Sequence, residues 1–269
     1  MAQLKTGTVE ANGTRLYHEV RGRGPAVLFI SGATGDAGHF EGVAEQLADE
    51  LTVVTYDRRG NSRSPRPGGW NATTMEEQAD DAAALVRALG ISPVAVFGTS
   101  GGAIIATSLL LRHPEGVRGA ILHEPPMVAV VTGEAENVAQ LRAMIETEMA
   151  RGGPPAAVEA FVRFAAGPAF DRIPPGLRAR MSGNGETLFG VELERFLEYR
   201  PSEAALAAVD MPVRILVGTE TAPMYEAASR WLAGKLRARL GFLAGAHAPY
   251  FDRPAEMAEA LRPLLRELR

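Results

Sequence analysis

The chain predicts an α/β fold: a mostly parallel eight-stranded sheet with helices on both faces and an inserted helical cap. Three observations predict it. Apolar, β-branched runs alternate with helix-forming stretches through residues 1–124 and again through 211–269. One such run stops at Gly98-Thr99-Ser100-Gly101-Gly102, a G-x-S-x-G turn from which a helix starts. Between residues 125 and 210 the alternation ceases, leaving helical patterns punctuated by Gly and Pro. Residues 1–124 and 211–269 are thus expected to form the core, and 125–210 the cap.

The elements follow in order. Thr6–Glu10 and Thr14–Val20 form a hairpin turned at Asn12-Gly13. A buried strand at Ala26–Ile30 runs into the glycine-rich loop 31–38, then a helix at Glu41–Ala48 leads to a strand at Thr52–Tyr56. The helix Thr74–Leu89 carries Glu76, Glu77 and Asp80 early and Gly90 after its end, as the helix dipole and C-cap favour. A strand from Val94, the helix Ala103–Arg112 and the strand Val117–Leu122 complete the first half. Helical segments are expected near 134–151, 155–166, 174–181, 188–199 and 202–209, with Gly152-Gly153-Pro154-Pro155 separating the first two. Strands Val213–Val217 and Ala238–Leu243 and the helix Pro254–Leu268 close the chain.

In the G-x-S-x-G turn, Ser100 must sit in a strained backbone conformation. Side chains two residues to either side would collide with the neighbouring strand and helix, which glycine avoids. The helix start then offers its N–H groups to a developing oxyanion. Such a serine needs a base, and the chain has five histidines. His18 lies in the hairpin, His39 follows the glycine-rich loop, His113 ends a helix and His123 closes a strand. His247 sits in a loop of small residues, Gly245, Ala246 and Ala248, that allows close approach to the serine, so it is the expected base. An acid would ordinarily follow the strand Val213–Val217, but Thr221 stands at that position. Glu220 is one residue away, and a shift of one in extended chain reverses a side chain's direction. Glu124, at the end of the preceding strand and held by Pro125-Pro126, is favoured, with Glu220 the alternative.

These stretches make the chain resemble the α/β-hydrolase-fold enzymes, and among them the zearalenone-lactonase-type hydrolases. The resemblance rests on Phe97–Gly102, His123-Glu124-Pro125-Pro126, Val217-Gly218 with its following Thr-Ala-Pro turn, and Gly245–Tyr250, in the order Ser, Glu, His. It implies cofactor-free hydrolysis of a carboxylic ester or lactone through Ser100, His247 and Glu124. The turn Asp57–Ser64 resembles the superfamily's D-x-x-G-x-S turn, which is structural. In the loop after Ile30 the superfamily usually has His-Gly, where this chain has Ser31-Gly32. The backbone N–H of Ala33, with Gly101, is then the expected oxyanion hole, and that of Gly32 the alternative donor. The fold and serine also serve C–C bond hydrolases, perhydrolases and natural-product cyclases, or a ligand-binding protein without chemistry. Dehalogenases of this fold use an Asp nucleophile, which Ser100 excludes.

The cap is rich in Met and Phe, which points to a sizeable apolar substrate. Met127, Tyr250, Phe189 and Phe161 are the candidate substrate walls. The formal charge of −4 without a basic cluster gives no sign of nucleic acid or an anionic membrane as partner. No segment reads as a signal peptide or a membrane span, and the histidines lack metal-ligand spacing. The absence of cysteine suits a cytoplasmic enzyme. The expected partner is a small apolar ester or lactone, with room left for a homodimer.

Overall fold

A computed structural model describes residues 3–268; residues 1, 2 and 269 of the predicted core lie outside the described residues. Eight strands form one sheet: β1 (Leu4–Ala11), β2 (Thr14–Arg21), β3 (Ala26–Ile30), β4 (Thr52–Tyr56), β5 (Val94–Thr99), β6 (Val117–His123), β7 (Val213–Gly218) and β8 (Arg239–Leu243), in the spatial order β1-β2-β4-β3-β5-β6-β7-β8. β1 and β2 pair antiparallel, as do β2 and β4, and the remaining pairs are parallel.

The central strands are mostly apolar because both of their faces are covered. Leu28, Ile30, Val54 and Val96 point to one face, under α2 (Met75–Ala88), α3 (Gly101–Arg112) and α9 (Pro223–Leu236). Their neighbours Val27, Phe29, Val53, Ala95 and Phe97 point to the other, under α1 (Glu41–Leu47) and α11 (Pro254–Glu267). That period of two is the pleat of a strand buried on both sides. The ends of α2 have local causes: the Thr74 hydroxyl accepts the Glu77 N–H at the start, and Gly90 takes a positive φ beyond the end.

The insertion between β6 and β7 is helical: α4 (Ala135–Ala166), α5 (Pro175–Gly183), α6 (Gly185–Thr187), α7 (Leu193–Glu198) and α8 (Glu203–Ala207). The first of these is continuous only in hydrogen bonding. Gly152 and Gly153 (φ 69°, ψ −166°) leave helical backbone ahead of Pro154-Pro155, so two helices meet there, as the sequence predicts. Between α6 and α7, Leu188–Glu192 form one π-helical turn rather than the predicted regular helix. The insertion has its own apolar cluster, including Val158, Phe170, Leu177 and Leu188. A short helix, α10 (Pro249–Asp252), follows the His247 loop. Among the described residues, no helix is long and apolar enough to cross a membrane.

Candidate active site

The turn between β5 and α3 holds Ser100 at φ 54°, ψ −131°, a backbone conformation that costs a serine energy. Its surroundings enforce that conformation. The Ser100 N–H donates to the His123 carbonyl at 2.9 Å, and the Ser100 carbonyl accepts the Ala103 N–H at 2.9 Å. A Cβ on Gly98 would lie 2.5 Å from the Gly102 carbonyl oxygen, and one on Gly102 only 2.1 Å from that of Ile30. Both obstacles are backbone, which cannot step aside. Gly102→Ala should therefore destabilise the fold by about 3 kcal/mol or more, measurable as a lower urea midpoint.

The loop after β8 brings His247 to the end of β6. Its Nδ1–H donates to Glu124 Oε2 at 2.6 Å, and the Gly218 N–H donates to Glu124 Oε1 at 2.7 Å. Glu124 is fully buried and has a positive φ of 46°, with its own N–H bonded to the Leu216 carbonyl at 3.1 Å. Burial alone would raise its pKa. The His247 hydrogen bond and the charges of the nearby histidines outweigh this and hold the carboxyl down at about 2. Thr221, at the position where an acid is ordinarily expected, faces the same carboxylate. Glu220 is exposed, and its N–H is bonded to the Gly245 carbonyl. The structure thus brings together Glu124 and His247, not Glu220 and His247.

Two rings lie near that of His247. Tyr225 of α9 stacks on it with centroids 3.9 Å apart and planes 15° from parallel, and burial raises the Tyr225 pKa. Sequence reasoning missed Tyr225; the available signal was its place in the first turn of the helix that follows the Thr221 loop. The His123 ring lies 6.2 Å away with its plane 23° from that of His247; it is fully buried, with Nδ1 2.8 Å from the Thr99 hydroxyl. Burial lowers its pKa to about 4, so it is neutral at physiological pH, and it belongs to the frame of the turn.

Ser100 and His247 line one cavity together with Gly32, Ala33, His39, Phe161 and Tyr250. No hydrogen bond joins Ser100 to His247 among the described residues, a contact that in such sites often tightens when substrate binds. The loop after β3 packs directly on the turn: a Cβ on Gly32 would stand 2.7 Å from Ser100 Cβ and 3.2 Å from the Gly101 nitrogen. Gly101 is the first residue of α3, so its N–H has no acceptor within the helix. Neither that N–H nor the one of Ala33 is taken by another protein group among the described residues.

A second cavity opens from Ser100, Gly101 and Ala33 toward the insertion and holds about 710 Å³ of free space, open mouth included. Its walls are Phe161, Phe164, Leu193, Phe196 and Leu197, with Pro126, Val128, Leu141, Met224 and Tyr225. Asn137 and Tyr225 are the lining residues, besides Ser100, whose side chains carry a polar group. Of the predicted walls, Phe161 lines both cavities and Tyr250 lines the one with His247. Met127 does not line either. It is fully buried in the core cluster because the chain turns at Pro125-Pro126, which leaves Pro126 and Val128 facing the cavity. Phe189 is also corrected: it lines neither cavity, and its ring packs edge to face on Phe161 at 6.2 Å, from the π-helical turn that replaces the predicted regular helix. Among the described residues, no three His, Asp or Glu side chains converge to hold a metal ion.

A family model for the alpha/beta hydrolase fold matches residues 25–158. The chain is 42% identical over 130 residues to the uncharacterized hydrolase YraK of Bacillus subtilis (strain 168), covering 48% of each chain. It is 33% identical over 118 residues to the zearalenone hydrolase of Bionectria ochroleuca, covering 43% of this chain and 45% of that one. The matched stretch thus spans about half the length of these curated relatives. A thermophilic esterase from Thermogutta terrifontis superposes with a TM-score of 0.78 at 23% identity, over 98% of this chain and 99% of that one.

Proposed function

Because this chain belongs to the α/β-hydrolase superfamily, we propose that it is a cofactor-independent serine hydrolase acting on a carboxylic ester or lactone of a fairly large apolar compound. The observation that carries this reading is the Glu124–His247 hydrogen bond of 2.6 Å in a loop that shares a cavity with the strained Ser100.

In this reading His247 takes the Ser100 proton as Oγ attacks the substrate carbonyl, and the buried Glu124 carboxylate stabilises the imidazolium that forms. Ionised at any pH well above 2, Glu124 accepts the Nδ1–H and so leaves Nε2 as the base. The oxyanion is held by the N–H groups of Ala33 and Gly101. His247 then protonates the leaving alkoxide, water attacks the acyl-enzyme with the same base, and Ser100 is released. The neutral, apolar walls around Ser100 favour an uncharged apolar acyl group. Similarity to a zearalenone hydrolase and to an esterase supports the ester or lactone class.

The test is turnover of p-nitrophenyl esters of increasing acyl length and of macrocyclic lactones, with Ser100→Ala as control. The proposal predicts Ser100-dependent opening that improves with apolar size. Equal turnover by the control would reject it. Phe196→Ala should enlarge the cavity and shift the preference to bulkier acyl groups, seen as a changed ratio of kcat/KM between long and short esters.

A further inference from the structure

Arg58 is among the largest fully buried side chains of the protein, and all of its N–H groups are engaged. Nε donates to the Ser31 carbonyl at 3.1 Å and Nη2 to the Gly32 carbonyl at 2.8 Å. Nη1 donates to Gln78 Oε1 at 2.6 Å, and both terminal nitrogens reach the carboxylate of Glu192, Nη2 at 3.0 Å. Glu192 is itself fully buried and also accepts from Gln78 at 2.9 Å and Asn61 at 3.3 Å. It stands at the end of the π-helical turn of the insertion, 134 residues from Arg58 in sequence.

The geometry has a consequence for the serine. The Gly32 carbonyl and the Ala33 N–H belong to one trans peptide, so they lie in a plane and point in opposite directions. Holding the oxygen on the Arg58 side therefore aims the N–H away from it, toward the cavity that Ala33 shares with Ser100 and Gly101. A cation on the carbonyl also polarises the peptide and strengthens its N–H as a donor. The Gly35 N–H also donates to the Gly32 carbonyl, at 3.2 Å, so Arg58 adds a shorter, charged bond to a turn bond that already holds this peptide. A buried ion pair is a costly way to fill space, since apolar residues of similar volume pack at least as well.

Resting on the serine-hydrolase reading above, we infer that Arg58 is a positioning residue for the oxyanion hole, with Glu192 as its buried counter-ion. Arg58 orients and polarises the Gly32–Ala33 peptide. Through Glu192, the seating of the helical insertion on the core sets how well that donor is aimed. A second tie runs parallel: Asn184 of the insertion donates to the Thr34 carbonyl at 2.8 Å, one residue beyond Ala33.

The experiment compares the wild type with Arg58→Lys and with the near-isosteric Glu192→Gln. Active sites are counted by fluorophosphonate labelling, so that misfolded protein does not enter the rates. Each enzyme then turns over a p-nitrophenyl ester and its thiono analogue, whose developing negative charge sits on sulfur and fits the hole poorly. Arg58→Lys should lower kcat per labelled site on the oxo-ester by about 10- to 100-fold, with KM little changed. The preference for oxo over thiono ester should fall in step. Glu192→Gln should show the same pattern at about 3- to 10-fold, and it decides the matter alone if Arg58→Lys does not fold. A purely structural role would instead lower the melting temperature and the labelled fraction while leaving kcat per site and the oxo/thiono ratio at wild-type values, and that result overturns the inference. Failure of the wild-type protein to label at all would overturn the serine-hydrolase reading and this inference with it.

Discussion

Ser100→Ala is expected to lower kcat on a p-nitrophenyl ester by about five to six orders of magnitude, and His247→Ala by a similar factor. The two losses should not add in the double variant, because nucleophile and base act as one unit. What remains would be the stabilisation from the Ala33 and Gly101 N–H groups and from binding in the apolar cavity. The fold should survive both changes. Ser100→Ala relieves no packing, although it leaves an alanine at φ 54°, so its melting temperature must be measured beside its rate. Loss of activity with the cooperative transition retained is the expected pair of results.

Glu124→Gln is expected to cost about 10⁴-fold in kcat, and Glu220→Gln less than about twofold. An amide in place of the carboxylate keeps the size of the side chain but presents an N–H₂ as readily as an oxygen. His247 would then be free to adopt the tautomer with its proton on Nε2, where it cannot serve as base. The same carboxylate links stability to pH. Its pKa is held at about 2 in the folded protein against an ordinary 4.5, so its contribution is fully present above about 4.5 and lost as the pH falls through 2. That shift corresponds to about 3 kcal/mol. Urea unfolding at pH 7 and at pH 2.5 should show the wild type losing more stability on acidification than Glu124→Gln does.

Much of this architecture is legible in the sequence, for a physical reason. β3, β4 and β5 are buried on both faces, so their residues are mostly apolar or β-branched, and glycine and turn chemistry mark their ends. The placement of Glu124 beside His247 can be read from one departure: Thr221 cannot carry the charge that an imidazolium needs, while Pro125-Pro126 fix an acid at the adjacent strand end. The helical insertion is less legible. Which side of a helix faces the serine depends on how that helix lies on its neighbours, and amphipathic spacing does not record it. Hence Met127 lies in the core and Phe189 behind Phe161, while Phe196 and Leu197 line the cavity. Tyr225 is only partly legible: its place in the first turn after the Thr221 loop puts it near the acid, but stacking on a histidine leaves no pattern in spacing. The Arg58–Glu192 pair escaped notice because its members meet only once the insertion has folded over the core.

In the proposed mechanism Ser100 is a nucleophile activated by a His247–Glu124 pair. The most direct measurement is covalent labelling with a fluorophosphonate, followed by mass mapping of the tryptic peptide spanning residues 88–112. One adduct per chain is expected, on Ser100, absent from Ser100→Ala and formed about 10⁴-fold more slowly in Glu124→Gln but at an unchanged rate in Glu220→Gln. An adduct on any other residue, or wild-type labelling by Glu124→Gln with slow labelling by Glu220→Gln, would contradict it.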